Sequence, residues 1–172
     1  MASTDQQVFE GLLARYMAPL QRLSVSYAQT VAEAQDLFQE IALALWTALP
    51  RFRGDSSERT WVYRVAHNTA ISFVTSSRRR SRRESVSERF LEPASRDNPE
   101  RDLLHAEKVR RLQRAIRELP LADRTLVLLY LEGVSAAEME TITGVSAGAV
   151  ATRLTRARQR LSARIRGEEV TR

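Results

Sequence analysis

The chain has 172 residues, 43% hydrophobic and 28% charged, the balance of a globular protein with one or two modest cores. It holds no cysteine, which excludes disulfides and thiolate zinc sites, and no run of about 18 apolar residues, which excludes a spanning helix and membrane insertion. The net charge of +6 suits a polyanionic partner without choosing between nucleic acid and anionic membrane, and Met1 to Gln7 carry no secretory pattern, so an intracellular location is expected.

In chain order, Thr4 and Gln7 have capping-box spacing ahead of a first helix. In it Val8, Phe9, Leu12, Leu13, Tyr16, Met17, Leu20 and Leu23 form a wide apolar stripe, read as a packing element. A second helix is expected from about Val31 to Leu49, with Ala34, Leu37, Phe38, Ile41, Leu45 and Ala48 on its core arc. Its other face carries Asp36, Gln39, Glu40, Leu43 and Thr47, with Trp46 near the edge. Two carboxylates, an amide and an exposed leucine suit a protein partner with a basic rim and an apolar centre. No histidine stands nearby in the sequence, so a metal or acid-base site is the weaker reading.

Pro50 ends that helix, and Arg51 to Ser57 form a loop in which Gly54 and Asp55 are turn formers. Arg51, Phe52, Arg53, Asp55 and Ser56 combine cations, an aromatic ring and small polar groups, a set able to hold an unstacked base, although a plain connection is the better reading of the loop taken alone. The next helix runs from about Glu58 to Thr75, with Trp61, Val62, Val65, Ala66, Thr69 and Phe73 on the buried arc. Thr60, Tyr63, Arg64, His67 and Ile71 are expected to point elsewhere, with Asn68 at the border. Arg64 and Asn68, four apart, are surface neighbours able to meet a phosphate and a base edge. His67 and His105 are the only histidines, too isolated for zinc or catalysis, and each is read as a surface residue.

Arg78 to Arg83 then place five arginines in six residues, and Ser85 to Arg101 mix charges with Pro93 and Pro99. Residues 78–101 therefore read as a charged linker without a core, its arginine cluster fitting a nucleic-acid contact or a solvated run equally. Helical signal resumes at Asp102 with Leu104, Val109, Leu112, Ile116 and Leu119, and Pro120 breaks it. Asp123 is expected to cap a further helix through Val127, Leu128 and Leu131 that stops at Gly133.

The last stretch, Val134 to Ile165, has the layout of a helix-turn-helix. Ser135 and Glu138 have capping-box spacing, Val134 and Met139 occupy the staple positions, and Gly144 supplies the turn. Ser146 caps a second helix whose stripe is Val150, Leu154, Ala157, Leu161 and Ile165. Its opposite face carries Gly148, Ala149, Thr152, Thr155, Arg156 and Gln159, and from Ser146 to Arg166 there are arginines and no acid. Small Ala147, Gly148 and Ala149 permit close approach to a major groove, with Thr152, Arg153 and Arg156 reaching outward. Alone, this pair fits many DNA-binding regulators, or an ordinary helix pair with a solvated basic face.

Two sets of residues carry a resemblance. Ala34, Asp36, Leu37, Gln39, Glu40, Trp46, Phe52 to Asp55, Arg59 to Ala66 and Asn68 resemble the amino-terminal domain of bacterial extracytoplasmic-function sigma factors. Leu119, Pro120, Arg124, Glu132 to Ser135, Glu138, Gly144 to Ser146, Gly148, Val150, Arg153, Leu154, Arg156 to Arg158 and Leu161 resemble their carboxyl-terminal domain, in the family's order. The resemblance implies an all-α chain of two small helical domains, region 2 at 1–77 and a four-helix region 4 at 102–172, joined by the linker. It implies a subunit that binds core RNA polymerase and promoter DNA, performs no catalysis, needs no metal or other cofactor, works in the cytoplasm and is regulated by an anti-sigma factor.

Carried over position by position, Asp36, Gln39, Glu40 and Leu43 would grip the polymerase. Arg51, Phe52, Arg53, Asp55, Ser56, Tyr63, Arg64, His67 and Asn68 would hold the minus-ten strand, and Ser146, Ala147, Gly148, Ala149, Thr152, Arg153 and Arg156 would read the minus-thirty-five duplex. Met139, Glu140 and Thr141 depart from the commoner isoleucine-alanine pairing, and Ala149 and Ala151 stand where relatives often have threonine and a basic residue. A stand-alone helix-turn-helix regulator is the principal rival, and it leaves the Asp36, Gln39, Glu40 face without a role.

Overall fold

The structure is a computed structural model that describes residues 2–81 and 99–170. These form α1 (Ala2–Tyr27), α2 (Val31–Ala48), α3 (Glu58–Ser81), α4 (Pro99–Arg117), α5 (Leu121–Leu131), α6 (Ala136–Thr143) and α7 (Ala147–Val170), with a 3-10 turn at Leu49–Arg51. Among the described residues there is no strand, as the all-helical reading expects. The chain divides into two compact units, the first holding α1 to α3, the second α4, α5, α7 and the first turns of α6.

In the first unit α2 lies against both α1 and α3. Leu37, Ile41 and Leu45 recur on one face of α2 and are fully buried, together with Leu12 and Leu20 of α1 and Val62, Ala66 and Ala70 of α3. Burying each large aliphatic side chain stabilises the unit by about 1.5–3 kcal/mol relative to leaving it in water. Phe38 and Ala48, expected on the same arc, are only half-buried. Val8 and Met17 of the α1 stripe are exposed, so that stripe is wider than the surface it packs on.

The ends of these helices correct several expectations. α1 begins at Ala2, so Thr4 lies within the helix instead of capping it; Asp5 in the first turn complements the helix dipole. α2 is capped by Thr30, whose side-chain oxygen accepts the Glu33 N–H at 3.1 Å while the Glu33 carboxylate accepts the Gln29 N–H at 2.8 Å. α3 is capped by Ser57, whose hydroxyl oxygen accepts the Thr60 N–H at 3.1 Å. α3 also runs beyond Thr75 to Ser81, taking in Arg78, Arg79 and Arg80, while Arg82 and Arg83 lie outside the described residues. Nothing between Thr75 and Ser81 is a proline or glycine, so no residue there stops the helix.

In the second unit α4 starts at Pro99, ahead of Asp102, at the position where a missing N–H costs nothing. Ala115, Ile116 and Leu119 are buried, Val109 and Leu112 half-buried, and the side chain of Leu104 falls outside the described set. α5 begins at Leu121, so Asp123 sits in its first turn and is not the cap; Pro120 occupies that place without a side-chain bond. Thr125, Leu126, Val127, Leu128 and Leu129 are all buried, which makes α5 the central helix, packed against α4 and α7. α7 supplies Val150, Ala157 and Leu161 to this core, with Leu154 and Ile165 half-buried.

Ile41→Ala, at a fully buried position, is expected to cost about 2–5 kcal/mol. Ser135→Ala should cost about 0.5–2 kcal/mol through loss of a cap. Urea titration followed by circular dichroism checks both, with the Ile41 change giving the larger shift in midpoint.

Candidate functional site

α2 turns Asp36, Gln39 and Glu40 to solvent on the face opposite its core row, where their side chains meet no partner among the described residues. Leu43 one turn on is 64% exposed and Trp46 is 40% exposed, the latter held by an edge-on contact with Phe9 at 5.1 Å between centroids. The Thr47 hydroxyl is spent on the Leu43 carbonyl at 2.8 Å. The result is one continuous helix face, acidic at its start and apolar towards its end.

The loop that follows is anchored at both ends. Phe52 stacks on buried Trp61 with centroids 4.8 Å apart at 31°, and Ser57 caps α3. Between these anchors Gly54 takes φ +78°, a left-handed conformation that suits glycine. Arg51, Arg53 and Asp55 are exposed; the Ser56 hydroxyl is shielded and has no partner. Along α3, Arg64 and Asn68 lie on the surface one turn apart, as their spacing implies. His67 is half-buried, not a surface residue: its Nδ1 is shielded without a hydrogen-bond partner, and burial pushes its pKa below the ordinary value.

Tyr63 is the principal correction. It is 3% exposed and packs edge-on against Tyr16 of α1 at 6.3 Å, and Thr60 beside it is buried as well. A helical wheel with one buried arc cannot find this, because α3 contacts both α1 and α2 and so buries two faces. The α1 contact is reinforced by an ion pair from Arg15 to Glu58 at 2.7 Å. Burial, and then the Glu58 carboxylate beside it, raise the pKa of the Tyr16 hydroxyl.

In the second unit the helix-turn-helix forms as its spacing predicts. The Glu138 N–H donates to the Ser135 hydroxyl at 3.3 Å and the Ser135 N–H donates to the Glu138 carboxylate at 2.9 Å, closing the capping box. Val134 and Met139 are buried at the staple positions, and Gly144 ends α6 at φ +73°. Ser146 caps α7 by accepting the Ala149 N–H at 3.4 Å. Ser146, Gly148, Ala149, Thr152 and Arg156 are exposed and Ala147 and Arg153 half-exposed, so these residues are brought together on the first turns of α7.

The arginines of α7 divide into two kinds. Arg158 lies over the Tyr130 ring at 4.3 Å and hydrogen-bonds its hydroxyl, Arg160 pairs with Asp123 at 3.3 Å, and Arg164 pairs with Glu118. These three bind α7 to α5 and to the turn that follows α4. Arg153 and Arg156 have no such partner among the described residues. A further contact was not visible in the sequence: the Glu140 carboxylate accepts the Ala147 N–H at 3.0 Å across the turn. The residues are seven apart, and only the Gly144 bend brings them together.

Among the described residues no group of histidine, cysteine and acidic side chains is arranged to hold a metal ion, and no helix is long and apolar enough to cross a membrane. The family described as Sigma-70 region 2 matches residues 12–80, and that described as Sigma-70, region 4 matches residues 109–161. The chain belongs to the sigma-70 family. It is similar to the RNA polymerase sigma-H factor of Pseudomonas aeruginosa, 33% identical over 163 residues, covering 90% of this chain and 84% of that one. It is also similar to the ECF RNA polymerase sigma-E factor of Escherichia coli K12, 31% identical with 94% and 88% covered. Its fold matches CnrH, solved with the cytosolic domain of CnrY, at TM-score 0.69 and 24% identity, covering 96% of this chain and 92% of that one. It matches RpoE of Bartonella quintana, solved with the anti-sigma factor NepR, at TM-score 0.74 and 20% identity, with 93% and 98% covered. This sigma factor is therefore of the extracytoplasmic-function type, and its partners are core RNA polymerase and promoter DNA.

Two outcomes follow for the sigma factor's stability. Because burial lowers the His67 pKa, the unfolded chain takes up a proton that the folded one resists; the contribution is complete above the ordinary value of 6.5 and is lost as pH falls below it. Urea titrations at pH 7.5 and pH 5 should show that His67→Asn reduces the acid-induced loss relative to wild type. Arg158→Ala should destabilise the chain by about 0.5–1 kcal/mol through its ring contact, whereas Arg156→Ala should leave the midpoint unmoved.

Proposed function

We propose that the sigma factor divides its work between its two units: residues 1–77 bind the polymerase and the melted minus-ten strand, and residues 102–172 bind the minus-thirty-five duplex, with 78–101 as the connection. The observation that carries this reading is the α2 face, where Asp36, Gln39 and Glu40 stand exposed, without partners among the described residues, beside exposed Leu43. Carboxylates and an amide around an apolar centre fit a basic, partly apolar helical surface on core RNA polymerase. The rival reading as a stand-alone regulator gives that face nothing to do.

Arg51, Phe52, Arg53, Asp55 and Ser56 of the loop, with Arg64, His67 and Asn68 of α3, take the minus-ten strand in this reading, and buried Tyr63 supports them from beneath instead of touching DNA. Opening the duplex costs stacking, and holding an unstacked base against an aromatic surface recovers about 1–3 kcal/mol of it. Ser146, Ala147, Gly148, Ala149, Thr152, Arg153 and Arg156 read the upstream duplex, where a bidentate base contact discriminates by about 1–3 kcal/mol. The chain itself catalyses nothing; the polymerase makes the RNA.

An anti-sigma factor regulates it. Support comes from RpoE, solved bound to the anti-sigma factor NepR, and from Leu43 and Trp46, apolar side chains left open to a covering partner. The sigma factor works in the cytoplasm and is held at the inner face of the membrane when that regulator is membrane-bound.

Sequencing transcripts made in vitro by core polymerase plus this chain tests the activity and yields the promoter. Asp36→Ala with Glu40→Ala should abolish stable co-purification with core polymerase, and wild-type binding by the double variant would overturn the α2 assignment. Arg156→Ala should reduce transcription from the identified promoter at least five-fold while core binding is retained, an effect of the size of one base contact.

A further inference from the structure

Three small residues stand on the first turns of α7 beside its arginines. Gly148, Ala149 and Thr152 are exposed, and no atom lies within 4 Å of the place a Cβ would take on Gly148. Ala149 has no polar side-chain atom. Thr152 has one, but its hydroxyl donates to the Gly148 carbonyl at 3.1 Å, back along its own helix. Thr155, one turn on, does the same with the Ala151 carbonyl at 3.0 Å. A threonine held in this way has its proton already placed, and its methyl is the part left to meet a partner. Ala149 and Thr152 are three apart, so their methyls adjoin on one side of the helix and form a small apolar step.

The major groove offers one apolar group, the C5 methyl of thymine, among hydrogen-bond donors and acceptors. A step of two methyls with its hydroxyl proton committed offers a polar base edge little in exchange for the water it displaces. We infer that Thr152 is a specificity-determining residue that selects a thymine in the upstream element by contact between the two methyl groups, with Ala149 extending the contact. This role rests on α7 reading the upstream duplex.

Uracil pairs as thymine does and lacks only the methyl. Each thymine of the identified upstream element, on either strand, is replaced singly by uracil in duplex promoter DNA with a constant minus-ten element. Competition binding is then measured with the full chain on core polymerase. For wild type, one such replacement should weaken binding about three- to five-fold, the worth of one buried methyl. Thr152→Ser, which keeps the hydroxyl and loses the methyl, should bind the thymine and uracil templates alike at that position. Thr152→Val, which keeps a methyl and loses the hydroxyl, should retain the wild-type discrimination.

An element in which no uracil replacement weakens wild-type binding overturns the role of Thr152. Any other pattern in the two variants does so as well: discrimination kept by Thr152→Ser places the contact on another side chain, and discrimination lost by Thr152→Val makes the hydroxyl necessary. A scrambled upstream element separates the levels. If wild type binds it as tightly as the identified element, the reading role of α7 itself is wrong, whereas a preference for the identified element with silent uracil replacements refutes only the methyl contact.

Discussion

Leu37, Ile41 and Leu45 form a single aliphatic row on α2, and burying that row against α1 and α3 governs the amino-terminal unit. Once those side chains are sealed from water, helix geometry leaves no freedom in where the remaining positions point. Asp36, Gln39, Glu40 and Leu43 must then emerge together on the far side. The surface assigned to the polymerase is thus the rigid reverse of a hydrophobic core and needs no partner to assemble it.

The carboxyl-terminal unit solves a different problem, since a helix rich in arginine has to be held in place without surrendering all its charge. Arg158, Arg160 and Arg164 lie on the side of α7 that meets Tyr130, Asp123 and Glu118. Exposed ion pairs of this sort contribute little singly, and the buried row of Val150, Ala157 and Leu161 supplies most of the attachment. The pairs set the rotation of α7 about its axis. Arg156 is thereby left facing away from the protein, and Arg153 half-exposed, at the end of the helix nearest the turn.

Much of this was legible in the residues themselves, for reasons that are local. Ser135 with Glu138, Gly144 and Ser146 sit within a few positions of the groups they bond, so spacing alone places the caps and the turn. The α2 face was legible because that helix buries a single well-marked row. Tyr63 was misplaced because a wheel assumes one buried side, and α3 has two. Thr4 has the spacing of a cap but lies inside a helix that starts earlier, whereas Thr30 and Ser57 were passed over although each precedes its helix. The bond from Ala147 to Glu140 and the pairing of Arg160 with Asp123 depend on how helices fold back on one another, which no window of sequence contains.

The loop between α2 and α3 is clamped at one end by Phe52 on Trp61 and at the other by the Ser57 cap. The few residues between the clamps contribute little to either core, and Gly54 takes its positive φ without strain. Arg53, Asp55 and Ser56 can therefore be exchanged with little consequence for folding. The fold treats this arc as a replaceable cartridge, whose side chains can change while the helices that carry it stay unaltered.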